Sequence, residues 1–355
     1  MLENIHQVFV KLGDNCNYSC AYCCQRKGGK RPAPASAPIY ISPEVFSFLA
    51  DMAAKAPEPL TVRPFGGEPL LYMDAIKQLI SALSAHKDKI RWFINTNGSL
   101  LTEEIVDYFN QNCVVAYISN DGPHTDQTRT SNVLTDERLL ALFRRLEHKA
   151  INGVLSAHNQ DLYAFWDWCE SKFGKDVETG IEILMPDPVM PPDLYAFDLP
   201  AFKSTMQRLV AEAVEAYKAG KTGKADRVSW FVMSFALGVL NAALSGNKSR
   251  TSFACGQLTE RLTVDVAGRV IFCQNFGASI GHVTDKDIDE KIEAAWEKAV
   301  KLLKRCEKCE IFIYCRGQCP FLAESPGKEM MCKVRKILFG GVLDYINALT
   351  EGEIR

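Results

Sequence analysis

Short apolar or alternating runs recur through the first two-thirds of the chain, at 8–12, 60–65, 90–95, 114–119, 154–158 and 180–185. Each is flanked by turn-forming or polar residues, the pattern of a strand in a covered sheet. Between them, apolar residues return at helical spacing over 43–54, 74–84, 103–112, 136–148 and 162–173. Ser42 before Pro43, and Thr102 before Glu103 and Glu104, are helix-start chemistry. A hydroxyl can accept from the first turn, proline presets φ, and early acids complement the dipole. Six strands separated by helices predict a parallel sheet with helices on its outer face. A closed eight-unit barrel needs more chain, so an α/β class with a partial (β/α)6 TIM-like barrel is expected.

The pattern then changes. A stretch at 185–200 rich in proline and aspartate ends the barrel, and 201–219 and 230–244 read as bridging helices. The second of these is uncharged but shorter than the ~20 residues of a membrane span, so it reads as a buried helix. A hairpin over 262–272 turning at Ala267 and Gly268 follows, then an amphipathic helix near 288–303. The expected organisation is a barrel at 1–200, bridging helices at 201–251, a cysteine-rich domain at 252–340 and a C-terminal helix and tail at 341–355. The segment 26–38, RKGGKRPAPASAP, reads as a solvated basic connector.

Composition narrows the function. Hydrophobic residues at 47% and charged residues at 24% are those of a folded globular chain, not a disordered one. The formal charge of -2 provides no global field toward nucleic acid or membrane. The first residues lack the basic-then-apolar layout of a secretory signal, so a cytoplasmic location is expected. Thirteen cysteines cannot all pair, and without a signal they read as metal or redox ligands. They fall into a group at each end of the chain. Cys113 and Cys169 occur singly in apolar surroundings and read as core residues.

Cys16, Cys20 and Cys23 form C-x3-C-x2-C after the first strand, with Tyr22 before the last. Three thiolates on one loop can hold three corners of a cubane cluster and leave one iron open to a small molecule. A closed zinc site requires a fourth ligand, which no Cys or His at the expected spacing supplies. Cys24, adjacent to Cys23, points elsewhere. Three further motifs follow successive strands: Gly66-Gly67-Glu68-Pro69, then Asn95-Thr96-Asn97-Gly98, then Ser119-Asn120-Asp121-Gly122-Pro123 with Arg129. Together these resemble the radical S-adenosylmethionine (SAM) superfamily, over residues 8 to about 185. The resemblance implies a SAM-binding 4Fe-4S cluster on the three cysteines. It also implies SAM contacts at Tyr22, Gly66, Gly67, Glu68, Pro69, Asn97, Ser119, Asp121 and Arg129. Glu68 would receive the amino group of SAM and Arg129 its carboxylate, complementary partners for a zwitterion. One electron passed to SAM would then give a 5′-deoxyadenosyl radical that abstracts a substrate hydrogen.

The second group is Cys255, Cys273, Cys306, Cys309, Cys315, Cys319 and Cys332, with Gly268 inside the first interval. Its spacing resembles the SPASM extension of radical SAM maturases, which implies two auxiliary 4Fe-4S clusters. By position, Cys255, Cys273 and Cys319 would hold the first, and Cys306, Cys309, Cys315 and Cys332 the second. Two zinc sites are the alternative, since C-x2-C is a common zinc hairpin. The first set lacks a fourth thiolate, and Glu260 and Asp265 are the only carboxylates between Cys255 and Cys273. Sulfatase maturases carry an acid just before the first SPASM cysteine, whereas 227–259 contains no Asp or Glu. The resemblance therefore implies a peptide maturase acting on a ribosomally made precursor by crosslinking, epimerisation or backbone excision. Sulfatase-type formylglycine formation is the alternative. A non-catalytic electron carrier would have no use for the SAM motifs. The expected partners are a precursor peptide or protein and a flavodoxin- or ferredoxin-type electron donor, with no nucleic acid and no membrane. Because the first strand begins within about ten residues of the start, a leader-recognition element is expected as a separate protein.

Overall fold

The computed structural model describes residues 2–25, 39–175, 177–221, 226–244, 255–275, 278–306, 308–317, 319–322 and 325–353. The basic segment at 26–38 lies outside them. Two compact units emerge: Met1–Asn120 with Arg129–Asn152 and Cys255–Lys301, and Asp121–Thr128 with Gly153–Ala254 and Leu302–Arg355. These divisions cut across the segments read from the sequence, so Cys255 and Cys273 fall in the first unit and the later cysteines in the second.

In the first unit β1 (Gln7–Lys11), β2 (Leu60–Phe65), β3 (Ile90–Thr96), β4 (Val115–Ser119) and β5 (Lys149–Leu155) pair in parallel, each with the next. The last residues of β5 belong to the second unit, where β6 (Glu178–Ile183) follows and the Leu184 N–H donates to Leu155 O at 3.2 Å. These six strands make the parallel sheet of a partial barrel, as expected. Helices Pro43–Lys55, Met73–Ala82, Glu103–Gln111 and Glu137–Arg145 connect the first five strands. Alternation decides which face is covered: Leu60, Val62 and Pro64 are buried, while Thr61, Arg63 and Phe65 are half-buried. On that second face the Arg63 guanidinium lies 5.6 Å from the Phe9 ring, 5.4 Å from Phe93 and 5.8 Å from Tyr117, within cation–π range.

Several sequence expectations need correction. The strand expected at 154–158 is Lys149–Leu155, and the helix before it stops at Arg145 rather than running to 148. Asn152 and Gly153 resemble a turn, but pairing of 149–152 with β4 outweighs their weak strand propensity. Ser42 stands at the N-cap before Pro43 as expected, but its hydroxyl donates to Glu44 rather than accepting from the first turn, holding that carboxyl below its usual range. Cys113 is exposed, in the turn between its helix and β4, with φ +51°; only Cys169 of the single cysteines is in the core.

The hairpin is where it was expected and does more. β7 (Arg261–Asp265) adds to the sheet in parallel beside β1, and β8 (Arg269–Ile271) and β9 (Ser279–His282) continue it antiparallel. Asp265 builds the turn: Oδ1 accepts from the Ala267 and Arg269 N–H groups, both at 3.0 Å, and Oδ2 from the Arg269 guanidinium at 2.6 Å. Gly268 occupies the left-handed position there, φ +83°.

The second unit is largely helical, built on Leu162–Phe173, Leu199–Lys218, Arg227–Leu244 and Lys328–Glu353. Edge-to-face pairs Trp166–Phe231, Phe231–Phe235 and Phe235–Phe339, with centroids 5.4, 5.1 and 6.1 Å apart, join three of these helices. Val228, Val232, Ala236 and Val239 form the buried stripe of the apolar helix read from the sequence. Among the described residues no helix is long and apolar enough to cross a membrane.

Candidate functional site

The loop carrying Cys16, Cys20 and Cys23 leaves β1 and is tied down by the residues around and between its cysteines. Asn15 donates its N–H to Tyr72 Oη at 2.8 Å and accepts at its carbonyl from the Glu68 N–H at 2.8 Å. Asn17 accepts from Asn97 Nδ2 and donates to Ser99 Oγ, both at 2.8 Å. The Tyr18 and Ser131 hydroxyls lie 2.6 Å apart, and the Ser19 N–H donates to Thr130 Oγ1 at 2.6 Å. Gln25 donates to Asn275 Oδ1 at 3.0 Å. One loop is thus fastened to the segments following β2, β3, β4 and β8. The three thiols are half-buried, and Cys16 Sγ accepts the Tyr18 N–H at 3.4 Å, an N–H···S contact suited to a thiolate.

Glu68 is the buried knot between β2 and β3. Only 1% exposed, it accepts from Leu70 N–H (3.1 Å), Asn97 N–H (2.8 Å) and Thr96 Oγ1 (2.5 Å). A carboxylate has about four acceptor sites, so about one remains for a ligand. Pro69 opens the short 3-10 turn Pro69–Tyr72 that Glu68 caps. The glycines before it serve backbone approach: a Cβ on Gly66 would lie 3.0 Å from Gly13 O, and one on Gly67 would fall on the Asn15 carbonyl. Arg129 stacks over Tyr22 at 5.2 Å to the ring centroid, and Ser119 ends β4 half-buried. Asp121, in the second unit, has both oxygens on protein donors, the Val154 N–H (2.8 Å) and Thr128 Oγ1 (2.5 Å). Sequence reasoning missed Asn15, Asn17, Tyr72, Ser99 and Thr128, which lock the motifs in place.

Burial pushes the Glu68 carboxyl above the usual glutamate range, against the opposing pull of its three donors. The native chain then binds a proton at a pH where the unfolded chain has lost it. Stability gained through this group is absent above the native pKa and grows as pH falls from there toward the ordinary glutamate value. Glu68→Gln is expected to remove that component. Anaerobic thermal unfolding of both proteins across that window checks it, the melting-temperature difference between wild type and variant shifting toward wild type at lower pH.

Of the later cysteines, Cys255 and Cys273 lie in the first unit, where Cys273 Sγ accepts the Asn275 N–H at 3.4 Å. Both Asp265 oxygens are committed to the hairpin turn, which removes it as an oxygen ligand. In the second unit Cys306, Cys309, Cys315 and Cys332 line one cavity, with Arg335 and Lys336. The Cys309 N–H closes on Cys306 O at 2.9 Å, and the Cys315 N–H on Ile311 O at 2.8 Å. Arg316 and Gly317, φ +52° and +70°, then turn the chain. Burial raises the Cys315 thiol pKa, while the neighbouring Arg335 favours its thiolate. Cys319 is half-buried in this unit. Among the described residues no three His, Cys, Asp or Glu side chains converge on a single-ion site. Elsewhere in the unit, His158 follows β5 and holds Asp193 at 2.8 Å, drawing that carboxyl below its usual range.

Residues 10–159 match the radical SAM superfamily. The chain is 22% identical over 342 residues to a radical SAM cyclopropyl synthase, TigE, of Paramaledivibacter caminithermalis, covering 89% of this chain and 68% of that one. Native anSMEcpe with bound AdoMet and Cp18Cys peptide shares the fold, with a TM-score of 0.69 at 19% identity over 97% of this chain and 99% of that one. Streptococcus suis SuiB bound to precursor peptide SuiA does so with a TM-score of 0.57 at 14% identity, over 93% and 76% of the two chains.

Proposed function

We propose that this chain, whose residues 10–159 match the radical SAM superfamily, is a radical SAM enzyme that oxidatively modifies a ribosomally synthesised precursor peptide. The observation carrying this reading is the second cysteine site. Cys306, Cys309, Cys315 and Cys332 gather in one cavity of the helical unit, separate in sequence from the SAM motifs. A SAM-cleaving domain alone has no need of it, whereas a maturase that must dispose of an electron after hydrogen abstraction does. The precursor peptide bound to SuiB and the peptide bound to anSMEcpe, on the same fold, support a peptide as the substrate.

The residues fit the cofactors that the family implies. Three half-buried thiols on an anchored loop suit a cluster with one open iron, with Cys16 already accepting an N–H at sulfur. Bound there, cluster and SAM supply a hydrogen-abstracting 5′-deoxyadenosyl radical. The chain's own task is positioning. Asn15 and Asn17 fix the loop against Glu68 and Asn97, and Tyr22 orients the Arg129 guanidinium for a carboxylate. Glu68 retains about one acceptor site for an ammonium. The C-terminal cysteines are proposed as ligands of two auxiliary clusters, the four cavity cysteines being those of the second. Cytoplasmic residence and a flavodoxin- or ferredoxin-type donor complete the reading. Formylglycine formation remains the second reading because anSMEcpe, a sulfatase maturase, shares the fold; the lack of an acid across 227–259 weighs against it.

The test is a reaction of the anaerobically reconstituted protein with SAM, a strong reductant and candidate precursor peptides. Peptide-dependent 5′-deoxyadenosine release should accompany a mass loss of a hydrogen pair or uptake of solvent deuterium at an α-carbon. Conversion of a sulfatase peptide to formylglycine, with no precursor modified, would transfer the assignment to the second reading.

A further inference from the structure

The cavity of the helical unit contains a cation that the cysteine pattern did not call for. Cys332 and Arg335 are three residues apart on helix Lys328–Glu353, so both project from one face. Arg335 is only 7% exposed, and its Nε has no hydrogen-bond partner. Among the described residues no carboxylate pairs with it. Lys336, the other cation lining the cavity, is exposed and already held by Glu310 at 2.9 Å. A guanidinium stays charged at any pH the protein meets, so it cannot escape burial by losing its proton. Burying such a charge without a counter-charge is strongly disfavoured. The groups lining this cavity with Arg335 that can carry negative charge are the sulfurs of Cys306, Cys309, Cys315 and Cys332.

We propose that Arg335 is a positioning residue that serves as the buried counter-cation of an iron–sulfur cluster held by these four cysteines and raises its reduction potential. The proposal rests on the second auxiliary cluster of the preceding section. A cubane with four thiolates is net negative when oxidised and more so after accepting an electron. A fixed neighbouring cation therefore stabilises the reduced form more than the oxidised one, strongly so where water is excluded. Its N–H groups also suit sulfur acceptors, and hydrogen bonds to sulfur move the potential the same way. The consequence is a cluster poised to accept an electron from a substrate radical.

The experiment uses full-length reconstituted protein in a Cys16/Cys20/Cys23→Ala background, which removes the N-terminal cluster's signal. Cys306→Ala with Cys309→Ala in that background should remove about four irons; unchanged iron would defeat the cluster reading, and this proposal with it. EPR-monitored redox titration then compares Arg335, Arg335→Lys and Arg335→Met. At a fixed potential the reduced-to-oxidised ratio of the cluster should fall at least about tenfold in Arg335→Met, a shift of about 59 mV for one electron. Arg335→Lys, keeping the charge, should stay close to wild type. Loss of cluster iron in Arg335→Met but not in Arg335→Lys would support the same role. Equal behaviour of the two variants, in potential or in iron loss, would overturn it while leaving the cluster reading intact.

Discussion

Replacing Cys16, Cys20 and Cys23 together by alanine is expected to lower iron from about twelve to about eight per chain and to abolish 5′-deoxyadenosine release. The reason is local. Of the contacts that fasten the loop, those of Asn15, Asn17, Ser19 and Gln25, and that of the Tyr18 hydroxyl, use none of the three thiols. The substitution gives up the N–H···S contact at Cys16 but keeps the contacts that dock the loop on the segments after β2, β3, β4 and β8. Melting should therefore change little beyond what the lost cluster contributed. Cleavage of SAM, which needs the open iron, should disappear altogether. Iron and sulfide analysis with chromatography of the adenosine product measures both. About four irons in the wild type, with zinc making up the remainder, would instead place zinc at the C-terminal cysteines.

The cysteines were legible because their spacing is itself the signal: a loop ligand set needs nothing but short intervals of chain. The locks around them were not. Asn15 and Asn17 are polar residues in a polar loop, and nothing in periodicity reveals that their partners lie at Glu68 and Asn97. The same holds for Asp265, which looked like a spare oxygen ligand and is a turn-builder. Strand β2 and helix Leu162–Phe173 were read to their ends because Pro, Gly or a capping Asp marks them. β5 was shifted, since its identity comes from pairing with β4 and its own Asn152-Gly153 argues for a turn. Arg335 is the instructive omission: a cysteine with arginine three residues on, inside a helical pattern, already places both on one face.

Gly67→Ala is expected to do nearly as much damage as losing the cysteines, by a wholly different route. A Cβ at Gly67 would overlap the Asn15 carbonyl and lie 2.7 Å from Asp14 O. Both are backbone atoms at the root of the cysteine loop, so no side-chain rotation relieves the clash. The loop must back away from β2, stretching the Glu68 N–H to Asn15 O bond on which its docking begins. Overpacking of this kind costs on the order of 3 kcal/mol. Misplacing reacting groups by about 1 Å costs roughly a hundredfold in rate, so 5′-deoxyadenosine release should fall by about that much. Gly66→Ala meets Gly13 O and the Tyr72 ring at 3.0 Å and should be milder, because the ring can give a little. Gly340→Ala, in helix Lys328–Glu353 with nothing within 4 Å of its new Cβ, should stabilise the protein by about 0.5–1 kcal/mol. Urea unfolding under anaerobic conditions ranks the three. If Gly67→Ala proves no worse than Gly66→Ala in both stability and SAM cleavage, the close approach of the β2 turn to Asn15 is not what holds the cysteine loop in register.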